Sequence, residues 1–142
     1  MHFIFGGAFN GKRKWVSDTY NDCKVTWISA YEQIEIPDKA GTGETAVLEG
    51  IEVWVRGRIA QGFTVEETAA FFEQKLSVWL KQCDRLVLIG TEIGKGIVPV
   101  DEEDRMWRDA CGYVYQHIVE KAERVDQIWY GIPTRLKGEE RR

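Results

Sequence analysis

The stretch FIFGGAFNGKR, residues 3–13, runs from an apolar β-type segment, Phe3-Ile4-Phe5, through paired glycines into a basic cluster. A buried strand that stops at Gly6-Gly7 and opens into a helix is the unit from which α/β domains place a loop over the end of a parallel strand. In a phosphate-binding loop of the form G-x-x-x-x-G-K-[ST], glycines let backbone amides wrap an anion, the lysine reaches the terminal phosphates, and the hydroxyl holds Mg²⁺. Gly6, Gly11 and Lys12 fit that form, with Gly7, Ala8, Phe9 and Asn10 in its variable positions, while Arg13 stands where the hydroxyl belongs. KRKWVSDTYN, residues 12–21, then suits a short helix whose N-terminus faces an anion. Taken alone, the same letters also suit a tight turn followed by a solvated basic cluster.

The rest of the chain alternates strand and helix signals. Residues 24–29 and 45–49 read as strands, and between them AYEQIEIPDKAGTGET, broken by Pro37, Gly41 and Gly43, reads as an exposed loop. Thr64-Val65-Glu66-Glu67 has capping-box spacing ahead of Ala69, Phe72, Leu76 and Trp79, predicting a helix over residues 65–82. Residues 85–90 form a continuous apolar run, the mark of a central parallel strand. Met106, Ala110, Val114 and Ile118 predict a helix over 102–122, and residues 127–132 read as a last strand. This order predicts an α/β three-layer sandwich with a mainly parallel sheet over residues 1–137, followed by a charged tail, 138–142. Trp54, Trp79, Trp107 and Trp129 are expected in the core.

Composition bounds the partners. The 142 residues are 44% hydrophobic and 30% charged with a net charge of −4, enough for one core and without the excess positive charge that draws a chain to nucleic acid or anionic lipid. Cys23, Cys83 and Cys111 match no metal or disulfide spacing and read as reduced thiols. Without a signal-peptide pattern or an apolar run approaching the ~20 residues of a membrane span, the expected location is the cytoplasm.

A second constellation bears on the glycine loop: TEIGKGIVP, residues 91–99, followed by RMWRDACG, residues 105–112. Together with FIFGGAFNGK, these segments resemble the adenosylcobinamide kinase / adenosylcobinamide-phosphate guanylyltransferase family of cobalamin biosynthesis. Counterparts of its motifs occur in order: the phosphate loop at 6–13, an apolar strand ending in an acidic residue at Val47-Leu48-Glu49, the Thr91 to Pro99 loop, Trp107-Arg108-Asp109 with Gly112, and a closing strand at 125–129. The resemblance implies a phosphate-loop NTPase-like (RecA-like) fold that binds ATP or GTP and transfers a γ-phosphate to the alcohol of cobinamide before attaching GMP. It also implies a homo-oligomer whose neighbouring loops complete the site.

Carried over by position, Lys12 and Glu49 are the catalytic candidates, with Glu49 also the candidate ligand of Mg²⁺. Glu92, Gly94, Lys95, Gly96, Arg108 and Asp109 are candidates for the substrate loop. Glu49 reads either as a site carboxylate or as a solvated strand end, and Arg108 with Asp109 either as site-lining residues or as a surface network. Three departures bear on activity. Residues 13–46 hold no histidine, so the guanylylated nucleophile of the family has no counterpart; His2 precedes the loop and His117 falls in the last helix. Arg13 cannot ligate Mg²⁺, which takes oxygen, although its guanidinium can pair with a phosphate. Tyr115 and Thr91 stand where the family has asparagines, altering the expected corrinoid contacts.

Overall fold

A computed structural model describes residues 1–22, 24–41, 43–93 and 101–138. The elements run β1 (His2–Gly6), α1 (Lys12–Thr19), β2 (Val25–Ser29), β3 (Gly43–Glu49), α2 (Ile51–Ala60), α3 (Val65–Gln82), β4 (Cys83–Thr91), α4 (Glu102–Lys121), β5 (Arg124–Trp129) and β6 (Ile132–Lys137). One sheet of order β2-β3-β4-β1-β5-β6 contains all six strands. It is parallel from β2 through β5, with β6 alone antiparallel. The alternation of the strands divides the core in two. Phe3, Leu48, Leu86 and Leu88 point toward α2, α3 and α4, while Ile4, Val47, Val87 and Ile89 point toward Val16 of α1. The sandwich is therefore three-layered, with three helices on one face and a single short one on the other.

The capping box of α3 forms as its spacing predicts. Thr64 Oγ1 accepts from the Glu67 amide at 3.1 Å, and Glu67 Oε1 accepts from the Thr64 amide at 3.1 Å. The helix buries Phe72, Leu76 and Trp79. Helix α2 has no counterpart in the sequence reading. Its buried Ile51, Trp54, Val55 and Ile59 stand at i, i+3, i+4 and i+8, the spacing of one helix face, with Val53 and Ala60 off that face.

Three expectations need correction. The loop after β2 is only partly exposed: Ala30, Pro37 and Ala40 are buried. Helix α3 pins this loop, with Trp79 Nε1 donating to the Pro37 carbonyl at 3.0 Å and Gln82 Oε1 accepting from the Ala40 amide at 2.9 Å. The last strand turns back at Tyr130-Gly131, whose φ values of 51° and 76° suit a two-residue hairpin turn between the paired Trp129 and Ile132. Trp129 is consequently not core; it is 66% exposed and stacks on Tyr130. Among the described residues no helix is long and apolar enough to cross a membrane.

Candidate functional site

Strands β1, β3 and β4 end together, at Gly6, Glu49 and Thr91, under a cleft of about 1270 Å³. Open parallel sheets offer ligands this position, at the carboxyl ends of the strands. The loop from Gly6 to Gly11 leads into α1, and its residues 8–11 line the cleft. Gly6 has to be glycine because a Cβ there would run into the Ile128 carbonyl oxygen. Gly11, the residue before α1, has φ +84°, a conformation costly for any other residue. Two backbone hydrogen bonds anchor the loop: the Glu92 amide donates to the Gly6 carbonyl at 2.8 Å, and the Gly131 amide to the Asn10 carbonyl at 2.7 Å. Phe9, at the loop's tip, has φ 62° and a fully exposed ring.

Lys12 is 9% exposed, and its ammonium donates to the Gly7 carbonyl at 2.7 Å, so the lysine folds back over its own loop. Burial lowers its pKa, against the opposing pull of the Glu52, Glu49 and Glu92 carboxylates. Arg13 follows on α1. Its guanidinium lies over the Trp27 ring, 5.5 Å from the centroid, and its Nε is 3.8 Å from Glu49 Oε1. Glu49 itself is 5% exposed, and Oε1 is buried without a hydrogen-bond partner.

The sequence reading missed Glu52, in the first turn of α2. Its Oε1 accepts from the Thr91 amide at 2.9 Å, and its Oε2 accepts from the Tyr31 hydroxyl. The indole of Trp107 donates to its backbone carbonyl at 2.9 Å. Burial, reinforced by the Glu52 carboxylate, pushes the Tyr31 hydroxyl up to about 12. The available signal was Glu49-Gly50-Ile51-Glu52, two carboxylates flanking a glycine at the end of a strand.

The other candidates are placed as follows. Gly7, Ala8, Phe9 and Asn10 lie in the loop beside Lys12 and Arg13. Glu92 accepts from Gln127 Nε2 at 3.2 Å and lines a smaller cavity, about 450 Å³, beside Phe5 and Tyr115. Arg108 and Asp109 pair with each other on α4 at 3.2 Å, and neither is among the residues that line these two cavities. Their neighbour Trp107 lines the large cleft under the Arg56 guanidinium. Tyr115 donates its hydroxyl to the Thr91 carbonyl at 2.8 Å. His117 faces α3, its buried Nε2 3.9 Å from Glu73 Oε1. His2 sits at the opposite end of β1 from the cleft, bonded to Asp126 and Tyr20. Gly94, Lys95 and Gly96, like Cys23 and the tail beyond residue 138, lie outside the described residues.

This arrangement presents an ammonium, a guanidinium and loop amides to an anion, which fits the phosphates of a nucleotide. It does not fit Mg²⁺ held between a loop hydroxyl and a carboxylate. Arg13 removes the hydroxyl and sets a fixed positive charge 3.8 Å from the remaining oxygen ligand, Glu49. Among the described residues no group of three His, Cys, Asp or Glu side chains stands together to hold a metal.

The comparisons with known proteins agree with this architecture. A family model described as cobinamide kinase / cobinamide phosphate guanyltransferase matches residues 24–136, from the start of β2 into β6. The bifunctional adenosylcobalamin biosynthesis protein CobP of Pseudomonas aeruginosa is 42% identical over 55 residues, which cover 39% of this chain and 32% of that protein. The family match begins after the 6–13 loop, so the loop's assignment rests on its motif and on its place at the end of β1. With a mainly parallel sheet of the phosphate-loop NTPase type and a match that runs from its edge strand β2 to its edge strand β6, this chain belongs to the cobinamide kinase / cobinamide phosphate guanyltransferase family.

Proposed function

We propose that the chain binds a nucleoside triphosphate, ATP or GTP, with its phosphates on residues 6–13, and retains at most the kinase step of cobalamin biosynthesis. In that step a γ-phosphoryl group passes to the hydroxyl of adenosylcobinamide. The observation that carries this reading is the buried Lys12 ammonium, folded onto the Gly7 carbonyl at the mouth of a cleft over the strand ends. An incoming phosphate offers that ammonium a charge-assisted hydrogen bond in place of a neutral one, the stronger of the two. Glu49 and Glu52 also line the cleft, where a carboxylate can orient the attacking alcohol. Guanylyl transfer through a histidine has no residue to carry it between positions 13 and 46. The working form in this reading is a cytoplasmic homo-oligomer, with Glu92, Gly94, Lys95 and Gly96 as candidate substrate contacts.

Calorimetric titration of the purified chain with ATP and with GTP tests nucleotide binding. Saturable heat that Lys12→Ala weakens at least tenfold supports it, and the absence of heat with either nucleotide overturns it. The Arg13–Glu49 contact favours a second reading, a non-catalytic relative that uses the same cleft as a binding module. Phosphorylated adenosylcobinamide formed by the wild-type chain rules out that second reading; nucleotide binding without product supports it.

A further inference from the structure

We propose that Arg13 takes the place of the divalent cation, so that a nucleoside triphosphate binds this cleft in its metal-free form. The inference rests on the nucleotide-binding reading above and specifies the chemical form of the ligand. The side chain follows Lys12 directly on α1 and lines the cleft. It faces two carboxylates, Glu49 at 3.8 Å and Glu32 at 3.9 Å, both beyond hydrogen-bond distance. Its fork of N–H donors therefore has ion pairing but no hydrogen bond to either, and stacking on Trp27 orients the plane. A bidentate guanidinium–phosphate pair makes use of both properties.

Glu49 Oε1 supplies the complementary observation. It is a buried carboxylate oxygen with no hydrogen-bond partner, on a residue that lines the cleft, and the Arg13 Nε stands 3.8 Å from it. A carboxylate in that setting calls for a cation, and this chain covalently provides one that cannot lose its proton. A metal ion approaching Glu49 would meet that fixed positive charge first. A polyphosphate, by contrast, finds the cations Lys12 and Arg13 side by side on the cleft wall, with Lys14 paired to Asp18 and Arg56 paired to Asp104 farther along it. Neutralising the developing negative charge of the phosphates is the task a metal usually performs in such sites, and here the side chains hold the charge for it.

The test is calorimetric titration of the full-length chain with ATP, once in EDTA and once with excess Mg²⁺, for the wild type and for Arg13→Ser. Arg13 is 59% exposed on its side chain, so serine leaves the fold intact, and a thermal melt checks this. The wild type should bind ATP in EDTA within threefold of its affinity with Mg²⁺. Arg13→Ser should lose at least tenfold in EDTA and recover most of it when Mg²⁺ is added. A wild type that needs Mg²⁺ to bind ATP overturns the inference and leaves the nucleotide reading standing. So does an Arg13→Ser variant that binds metal-free ATP as well as the parent. Failure of the wild type to bind under either condition overturns the nucleotide reading itself.

Discussion

Replacing His2 by glutamine should flatten the acid dependence of this protein's stability. His2 opens β1 at the end of the sheet remote from the cleft, where its Nε2 is 2.6 Å from Asp126 Oδ2 and its Nδ1 is 2.6 Å from the Tyr20 hydroxyl. The neutral ring satisfies both, donating from Nε2 to the carboxylate and accepting from the phenol at Nδ1. Burial is the main force that lowers its pKa from 6.5 to about 4, outweighing the hydrogen bond to Asp126 that raises it. Arg124 adds to the lowering, and it is itself bonded to Asp126 at 2.8 Å. Arg135 stands 3.9 Å from the other Asp126 oxygen, and the edge of the Trp15 indole covers the ring. Between pH 6.5 and about 4 the unfolded chain takes up a proton at this position that the folded chain refuses. Stability from His2 is therefore complete above the unfolded pKa and declines as the pH falls through this window. The slope is about 1.4 kcal/mol per pH unit and the total about 3 kcal/mol. Urea unfolding of the wild type and of His2→Gln, at steps from about pH 7.5 to about pH 4.5, measures the difference directly. Glutamine has no proton to gain, and carboxylate titrations are common to both chains. The two curves should converge as the pH drops, and curves that fall in parallel would refute the reasoning.

Two further substitutions probe the fold away from and beneath the cleft. Thr64→Ala removes the capping oxygen of α3 and should lower stability by about 1 kcal/mol in urea unfolding, with ATP affinity unchanged. Gly6→Ala drives a methyl group into the Ile128 carbonyl oxygen and should cost about 2–3 kcal/mol while weakening ATP binding more than tenfold; an alanine variant as stable as its parent would show that β1 and β5 do not approach so closely.

What could be read from the residues follows from where each element sits. Helix α3 lies on the outside of the sheet and must show water one face, so its period and cap were plain, and it ends at Gln82 as its spacing predicts. Helix α2 packs against β4, α3 and α4, and its apolar spacing at Ile51, Trp54, Val55 and Ile59 is present but short, diluted by Val53 and Ala60 off that face. Missing α2 meant missing Glu52, because a carboxylate gains meaning only once its helix is known to start at the end of β3. The hairpin was hidden for another reason: Gln127-Ile128-Trp129-Tyr130-Gly131-Ile132 is apolar and β-prone throughout, and the turn is made by Tyr130 in a conformation usually given to glycine or asparagine. Trp129, expected in the core with the other tryptophans, instead ends β5 beside the turn and is 66% exposed. In the loop at 6–13, by contrast, the glycine positions, the lysine and the missing hydroxyl are all local properties, and local properties survive in the letters.

The strand order also constrains how the molecule can be made. His2 pairs with Val87 on one side and with Arg124 on the other, so the first strand to leave the ribosome waits longest for its neighbours. Until β5 is synthesised, Phe3-Ile4-Phe5 borders an open edge in the middle of what will become the sheet. An unpaired apolar edge of this kind is a template for association with other chains, and pairing across such sequence distances is slow. The final strand answers that hazard: β6 pairs antiparallel at the edge of the sheet and carries Pro133, which has no backbone N–H to donate and so discourages further strand addition. The last residues of the sheet thus protect the first, and truncation within the hairpin should appear as aggregation before it appears as any change in the cleft.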